Sequence, residues 1–407
     1  MSAESALADR VPAIQEALAE AGIDGWLFAC FQGNDPISLE LLGLGGDHLV
    51  SRRCYYLVPR EGEPRKLVHR LEPAMLDHLP GETHEYLTWK EHARGLGELV
   101  APGGRGPRGH AVLAAQYSPE GAVPTVSRLD AGTAELLRKA GAELVSSADL
   151  VQRFAATWSA EQLAGHRRAN EHLHAIVREA FRRVGDALAG GREIDEHAVQ
   201  RFILERFEAE GLWTESPPIV GVNAHSADPH YQPSAERTSP IVKGDFLLID
   251  LWAKQTRPGS VYADITWCGV CSSAPAERQA EVFGIVAAAR DAALGLVESR
   301  WPDGEVRGFE VDDAARAVIR AAGYGDFFIH RTGHSIHVSD HGPGANMDNL
   351  ETHDTRLLLP ATGFSIEPGI YLPGDFGVRS EINVALTATT VEVTGGEPQR
   401  ELLALLA

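Results

Sequence analysis

Two pairs of acidic residues share one spacing in this chain. Asp250 closes the apolar run that starts at Phe246, and Asp264 follows fourteen residues later; Glu367 closes the run from Gly363, and Glu381 follows fourteen residues later. A carboxylate at the end of an apolar strand-like run is costly to bury unless a cation or a donor neutralises it. Hard oxygen ligands suit divalent cations, and two metal ions are the simplest way to neutralise four such acids. Between the pairs, residues 330–341 carry His330, His334, His337 and His341. One imidazole among four carboxylates shifts the preference from calcium toward manganese, iron, cobalt or zinc. Manganese is favoured, with zinc and cobalt as alternatives. Each acid alone reads as strand-end polarity facing water, but the repeated spacing argues against that for the set.

Two rival readings of the reactive residues are weaker. His337 and His341, four apart, could sit on a helix as a mononuclear zinc pair with His334 as third ligand. Gly333, Ser335, Val338 and Ser339 favour strand or loop there, and that arrangement leaves Glu367 and Glu381 without a task. Cys268 and Cys271 lie in an apolar run, and the other two cysteines, Cys30 and Cys54, form no second close pair. They read as buried thiols of a strand, not half a zinc knuckle. Gly43, Gly45 and Gly46 read as a plain loop, because no strand-turn-helix frame surrounds them.

These residues need a scaffold, and 407 residues exceed what one core usually fills, so two domains are expected, 1–157 and 158–407. The first begins with helical spacing over 10–21 ended by Gly22, then a buried strand at 26–30. Strand-like runs at 54–58, 66–69 and 112–115 alternate with helical stretches at 90–100 and 131–140, and the Gly/Pro-rich piece 102–109 is a loop. This is an α/β pattern. After Trp158, Ser159 with Glu161 and Gln162 starts a long helix whose apolar face runs from Leu173 to Val184. A second helix over 194–209 precedes strands through Val270; a third helix around 282–296 and a fourth over 311–322 again precede strands. Helix, helix, strands, seen twice, implies an internal repeat, each half supplying two carboxylates on a hairpin.

Composition narrows the partners. Asp plus Glu outnumber Lys plus Arg by 57 to 37, and a net charge of -20 repels phosphate backbones and anionic membranes. No signal-like segment or membrane-length apolar run is found, so a cytoplasmic protein is expected.

In the stretches around 249–266, 330–341 and 364–383 the chain resembles the pita-bread metallopeptidases, within them the aminopeptidase P and prolidase group with a creatinase-like N-terminal domain. The resemblance covers essentially the whole chain. It implies an α/β N-terminal domain plus an α+β pita-bread catalytic domain with a pseudo-twofold repeat, and a homodimer acting on peptides. By that similarity, Asp250 chelates one metal and His334 the other, Asp264 helps hold both, Glu381 bridges, and Glu367 is ligand and proton shuttle. His341 and His230 match the histidines that contact the substrate carbonyl or developing oxyanion. His330 and Arg379 match proline-specific members, so the implied reaction is hydrolysis of Xaa-Pro bonds by a dipeptidase or an aminopeptidase. A creatinase-like amidinohydrolase or a catalytically silent binding protein is the alternative, disfavoured by the full ligand set. Departures from the family pattern are Trp252 where glycine is usual, a longer connection from Asp250 to Asp264, Trp267 for a frequent arginine, and Ser335 and Gly342 for a glycine and an acid. They bear on the pocket rather than the ligands.

Overall fold

The computed structural model describes residues 7–44, 50–100 and 110–407. The chain divides into two compact units, Met1–Ala155 and Ala156–Ala407. In the first, α1 (Val11–Ala21) buries Val11, Ile14, Ala17 and Leu18 and stops where Gly22 takes φ 66. Next come β1 (Gly25–Cys30) and α2 (Pro36–Leu41), the latter started by the Asp35 side chain accepting the Ser38 N–H. Then follow β2 (Cys54–Pro59), β3 (Arg65–His69), β4 (Glu82–Tyr86), α3 (Trp89–Val100), β5 (Ala111–Ala115), α4 (Ala131–Lys139), β6 (Ala142–Ser146) and α5 (Ala148–Ala155). The six strands make one sheet in the order β4-β3-β2-β1-β5-β6. Gly43 adopts φ 68 just after α2, while Gly45, Gly46 and the 102–109 loop lie outside the described residues.

The second unit opens with α6 (Ala160–Ala189). Ser159 Oγ accepts the Gln162 N–H at 3.1 Å and Gln162 Oε1 accepts the Ser159 N–H at 2.8 Å, so two otherwise orphaned donors are satisfied reciprocally. Helix α7 (Glu196–Ala209) starts two residues later than the apolar pattern suggested, because Asp195 is the cap: its side chain accepts the Ala198 N–H. Strands β7 (Leu212–Trp213), β8 (Ile219–Val222), β9 (Phe246–Gln255) and β10 (Ala263–Val270) follow. The order then recurs with α8 (Glu277–Arg300), α9 (Gly308–Ala321), β11 (Ser335–Ile336), β12 (Gly363–Ile366), β13 (Gly369–Tyr371), β14 (Gly377–Arg379), β15 (Ile382–Leu386), β16 (Val391–Val393) and β17 (Leu403–Ala404). One sheet runs β17-β10-β9-β7 with β8 also on β9, a second runs β11-β12-β15-β16, and β13-β14 form a separate hairpin. Among the described residues no helix is long and apolar enough to cross a membrane.

Strand β9 departs from the sequence reading. Asp250 does not end it; the strand continues to Gln255. The reason lies in alternation. Ile249, Leu251 and Ala253, with Ala263, Ile265 and Trp267 of β10, share one core cluster with Leu173, Ile176 and Val177 of α6. That face keeps the strand buried past the acid, while Asp250 and Trp252 look the other way.

Candidate metal centre

In the β9–β10 hairpin Asp250 lies opposite Thr266 and Trp252 opposite Asp264, so all four share the face turned away from α6. Thr266 is the hub of that face. Its hydroxyl stands 2.9 Å from Asp250 Oδ1 and 2.9 Å from Glu381 Oε2, and it accepts the Arg379 Nε–H at 2.8 Å. Having one proton, it can satisfy only one of the two carboxylates at a time. The second hairpin pair enters from β12 and β15, whose end pair is Ile366 and Ile382, so Glu367 and Glu381 flank the same end, with β13 and β14 inserted between them. Asn383 ties the halves together: its Oδ1 accepts the Asp264 N–H at 2.8 Å and its Nδ2 donates to the Asp264 carbonyl at 2.6 Å, as a neighbouring strand would.

His334 is set by close backbone approach. A Cβ on Gly333 would meet the Ser365 carbonyl oxygen at 2.0 Å, and the His334 N–H donates to Ser365 Oγ at 3.0 Å. Its Nδ1 is 3.1 Å from the Ser335 carbonyl, which can only accept; the proton is therefore on Nδ1 and the Nε2 lone pair faces the acids. Nε2 lies 3.4 Å from Glu367 Oε1 and 3.7 Å from Asp264 Oδ2.

Ligand-capable atoms of Asp264, His334 and Glu381 all fall within 4.8 Å of one another. Asp264 Oδ1 and Glu381 Oε1 are buried with no hydrogen-bond partner. Burial, then the charges of Asp250, Asp340 and Glu367, pushes Asp264 well above the ordinary carboxylate range; burial and Asp264 do the same to Glu381. Burial also raises Asp250, to about 6, against the pull of Arg379. Glu367 is raised by burial too, but His334, Arg379 and His330 together hold it below its usual value. Buried oxygens with no donor, in mutual repulsion, beside an imidazole lone pair: this donor set fits divalent cations and fits little else. The cluster thus forms a possible metal-binding site.

The site opens into a cavity of ≈ 780 Å³ lined by Asp250, Asp264, His334 and Glu367, and by His230, His330, His341 and Arg379. Glu381 sits beneath it, 3% exposed. Arg379 is engaged by the protein itself: it pairs with Asp250 Oδ2, donates to Thr266, and lies 3.3 Å from the Tyr371 hydroxyl. His330 has both ring nitrogens in use, Nδ1 toward the Arg331 carbonyl at 2.7 Å and Nε2 toward the Tyr371 hydroxyl at 2.8 Å, and burial holds it neutral with a pKa near 4. The His341 ring centroid is 4.2 Å from that of His334, and its Nδ1 accepts from Arg331 Nη2 at 3.3 Å, which leaves the proton on Nε2. His230 is exposed on the cavity wall.

Several neighbours escaped the sequence reading. Thr266 was within reach, two residues from Asp264 and therefore on its face. Tyr371, Asn383, Arg331 and Asp340 gave no local signal; the last two line the cavity, and Asp340 Oδ1 has no hydrogen-bond partner. Of the two tryptophans among the departures expected to alter the pocket, Trp252 lines it, but Trp267 does not. Paired with Ile249, Trp267 faces α6, stacks edge-on to His174 and lies under Arg178. No helix forms at 337–341, so His337 and His341 never share a helix face. Cys268 and Cys271 are buried thiols that burial pushes up to about 12.

The model of metallopeptidase family M24 matches residues 164–388. The chain is 31% identical over 213 residues to the probable dipeptidase PepE of Mycobacterium tuberculosis, covering 52% of each chain. It is 36% identical over 198 residues to the Xaa-Pro dipeptidase of Pyrococcus furiosus, covering 49% of this chain and 52% of that one. The matched stretches span about half the length of these relatives. Among solved structures, dipeptidase PepE from Mycobacterium ulcerans aligns with a TM-score of 0.71 at 24% identity over 98% of both chains. That likeness identifies the fold as an α/β N-terminal unit followed by a pita-bread unit.

Proposed function

This chain belongs to metallopeptidase family M24, and on that premise we propose that it is a metal-dependent exopeptidase hydrolysing Xaa-Pro bonds at the N-terminus of dipeptides or short peptides. The observation that carries the reading is the pair of buried, unpartnered oxygens on Asp264 and Glu381, two side chains whose ligand-capable atoms gather with those of His334 within 4.8 Å. Asp250, Asp264, His334, Glu367 and Glu381 would hold two divalent cations, manganese by preference. Such cations supply Lewis acidity, lowering the pKa of a water and polarising a carbonyl.

The remaining work falls to side chains. Glu367, kept ionised by the guanidiniums of Arg379 and Arg331, takes the proton from the attacking water and passes it to the leaving amine. His341 carries its proton on Nε2, and His230 lines the same cavity; both serve the carbonyl oxygen as charge develops. An Xaa-Pro bond has no N–H to offer, so the site needs a wall for the pyrrolidine ring rather than an acceptor for a donor. His330, neutral and with both nitrogens occupied, is suited to be that wall, and Trp252 adds an apolar face. The residues 1–157 form the creatinase-like domain and 158–407 the catalytic one in this reading, which extends to a cytoplasmic homodimer.

The test is metal-depleted protein resupplied with manganese, zinc or cobalt singly and assayed on Ala-Pro and Ala-Ala and on the same pair extended at the C-terminus. Metal-dependent cleavage favouring the proline member is expected. Equal or faster cleavage of the alanine versions would remove the proline preference, and full activity without metal would remove the metallopeptidase reading.

A further inference from the structure

His230 sits in the connection 223–245 between β8 and β9, whose regular structure is a short 3-10 turn at Asn223–Ala227. Its imidazole is exposed on the cavity wall, so the backbone that carries it sets where the ring points. That backbone is tied on both sides. The His230 N–H donates to Asp228 Oδ1 at 3.1 Å, and the next residue, Tyr231, is fully buried at 0% exposed.

What holds Tyr231 is Glu196, in the first turn of α7 and itself 0% exposed. The Tyr231 hydroxyl donates to Glu196 Oε2 at 2.7 Å, and the Ser239 N–H donates to the same oxygen at 2.7 Å. On Oε1 the Val222 N–H arrives at 2.8 Å and His225 Nδ1 at 2.9 Å; because a carboxylate only accepts, that ring carries its proton on Nδ1. Four donors meet the roughly four lone-pair sites of one carboxylate. All of them lie between Val222 and Ser239, at the start, the middle and the far part of the stretch that carries His230. The rings of His225 and Tyr231 stack with centroids 4.1 Å apart, and the Arg237 guanidinium lies 4.6 Å over the Tyr231 ring. Glu196 is not among the residues lining the cavity, so it does not meet a substrate there.

We propose that Glu196 is a positioning residue for amide hydrolysis: through Tyr231 it fixes the place from which the His230 imidazole meets the substrate carbonyl. The inference rests on the reading above in which His230 serves that carbonyl. Consecutive Cα atoms are held about 3.8 Å apart, so a displacement of Tyr231 carries His230 with it. A donor to a developing oxyanion works only over roughly 2.7–3.1 Å, and a shift of about 1 Å takes it out of range. A connection this long, with its ring-bearing wall residue exposed, has to borrow its rigidity, and the buried carboxylate supplies it.

The experiment is steady-state kinetics on Ala-Pro with metal-loaded wild type, E196Q, Y231F, H230A and the doubles E196Q/H230A and Y231F/H230A. E196Q keeps the size of the side chain but turns one acceptor into an NH2 group that faces donors. It should lower kcat roughly 10- to 100-fold, the loss that a misplacement of about 1 Å brings, with little change in KM. In the H230A background the same substitution should cost about twofold or less, since two residues acting through one contact are not additive. Y231F removes one donor only and should repeat the pattern in smaller measure, which keeps the test open if E196Q does not fold. Elemental analysis should find wild-type metal content in every variant. Equal losses in both backgrounds, or metal lost from E196Q and Y231F, refute the positioning role and leave the peptidase reading standing. H230A with wild-type kcat takes His230 out of the reaction and this inference with it; metal-loaded wild type that cleaves no peptide refutes the reading on which both rest.

Discussion

Asp264 and Asp312 are aspartates of the same unit, 7% and 0% exposed, and the fold treats them in opposite ways. Asp312 is fully served: Oδ1 accepts from Thr332 N–H at 2.9 Å, Thr332 hydroxyl at 2.7 Å and Arg316 at 2.8 Å, and Oδ2 accepts from Arg316 Nε at 2.9 Å and Asn349 N–H at 3.2 Å. Asp264 has one oxygen without a donor, and the other only faces His334 Nε2 at 3.7 Å. Burial of charge is therefore not in itself a functional mark. A carboxylate whose lone pairs are all matched is a staple that fixes the segment entering the histidine stretch. One left unmatched beside other acids is arranged for a partner the chain does not contain, and a divalent cation suits it.

The strongest way to break this contrast is Asp264→Asn or Glu381→Ala. Activity should fall roughly 10³-fold or more, since charge stabilisation by the metals is lost with their occupancy. Metal content by elemental analysis should drop in parallel. The metal-free variants should melt no lower than metal-free wild type, because one of several repelling carboxylates is gone. A markedly lower melting point would mean that Asp264 is a staple like Asp312.

Asp312→Ala should do the reverse. It leaves Arg316, 2% exposed, as a buried charge without its partner, and denaturant titration should find a loss of about 3–5 kcal/mol. The protein that remains folded should keep its kcat. If kcat collapses at conditions where the fold persists, Asp312 acts on the reaction and the contrast fails.

His341→Ala sharpens the functional side. The side chain is 60% exposed, so stability should change by no more than about 0.5 kcal/mol. As a donor to the developing oxyanion it should lower kcat by roughly 10²-fold with little effect on KM. An unchanged kcat removes it from the reaction.

The smallest effect concerns acid. Burial pushes His166 down from 6.5 to about 4 in the folded chain, where Nδ1 donates to the Tyr262 carbonyl at 2.6 Å and Nε2 accepts from Thr394 at 2.8 Å. Between those pH values the unfolded chain binds the extra proton, so stability rises with pH across the window and is lost on acidification through it. His166→Gln should flatten that limb of the stability curve, though only in part, because His92 and His174 are shifted the same way. Melting points at pH 4.5 and 7.5, taken without metal, give the slope; an identical slope in the variant would show that His166 does not titrate there.

Much of this was legible in the chain itself. Ser159 with Gln162 announces its helix through short-range hydrogen bonds, and such bonds need only neighbouring residues. The equal spacing of Asp250 to Asp264 and of Glu367 to Glu381 reveals two hairpins carrying acids, because a strand that must be buried has to be written as an apolar run. Residue types determine the chemistry available, and sequence order shows that each half brings two carboxylates.

What the chain could not declare is which way each side chain points and what meets it. Trp267 turns toward α6, and Trp252 toward the cavity, because register sets the parity of both strands. Asp250 stays inside β9 because the helix face continues beyond it. Arg379 reaches Asp250, 129 residues away, only once the hairpins that carry them are packed together. Hydrogen bonds and charge repulsion act over a few ångströms of space irrespective of separation along the chain. The pattern of residues therefore supplies the acids and the imidazoles, while the tertiary structure decides which of them meet and which are left without a donor.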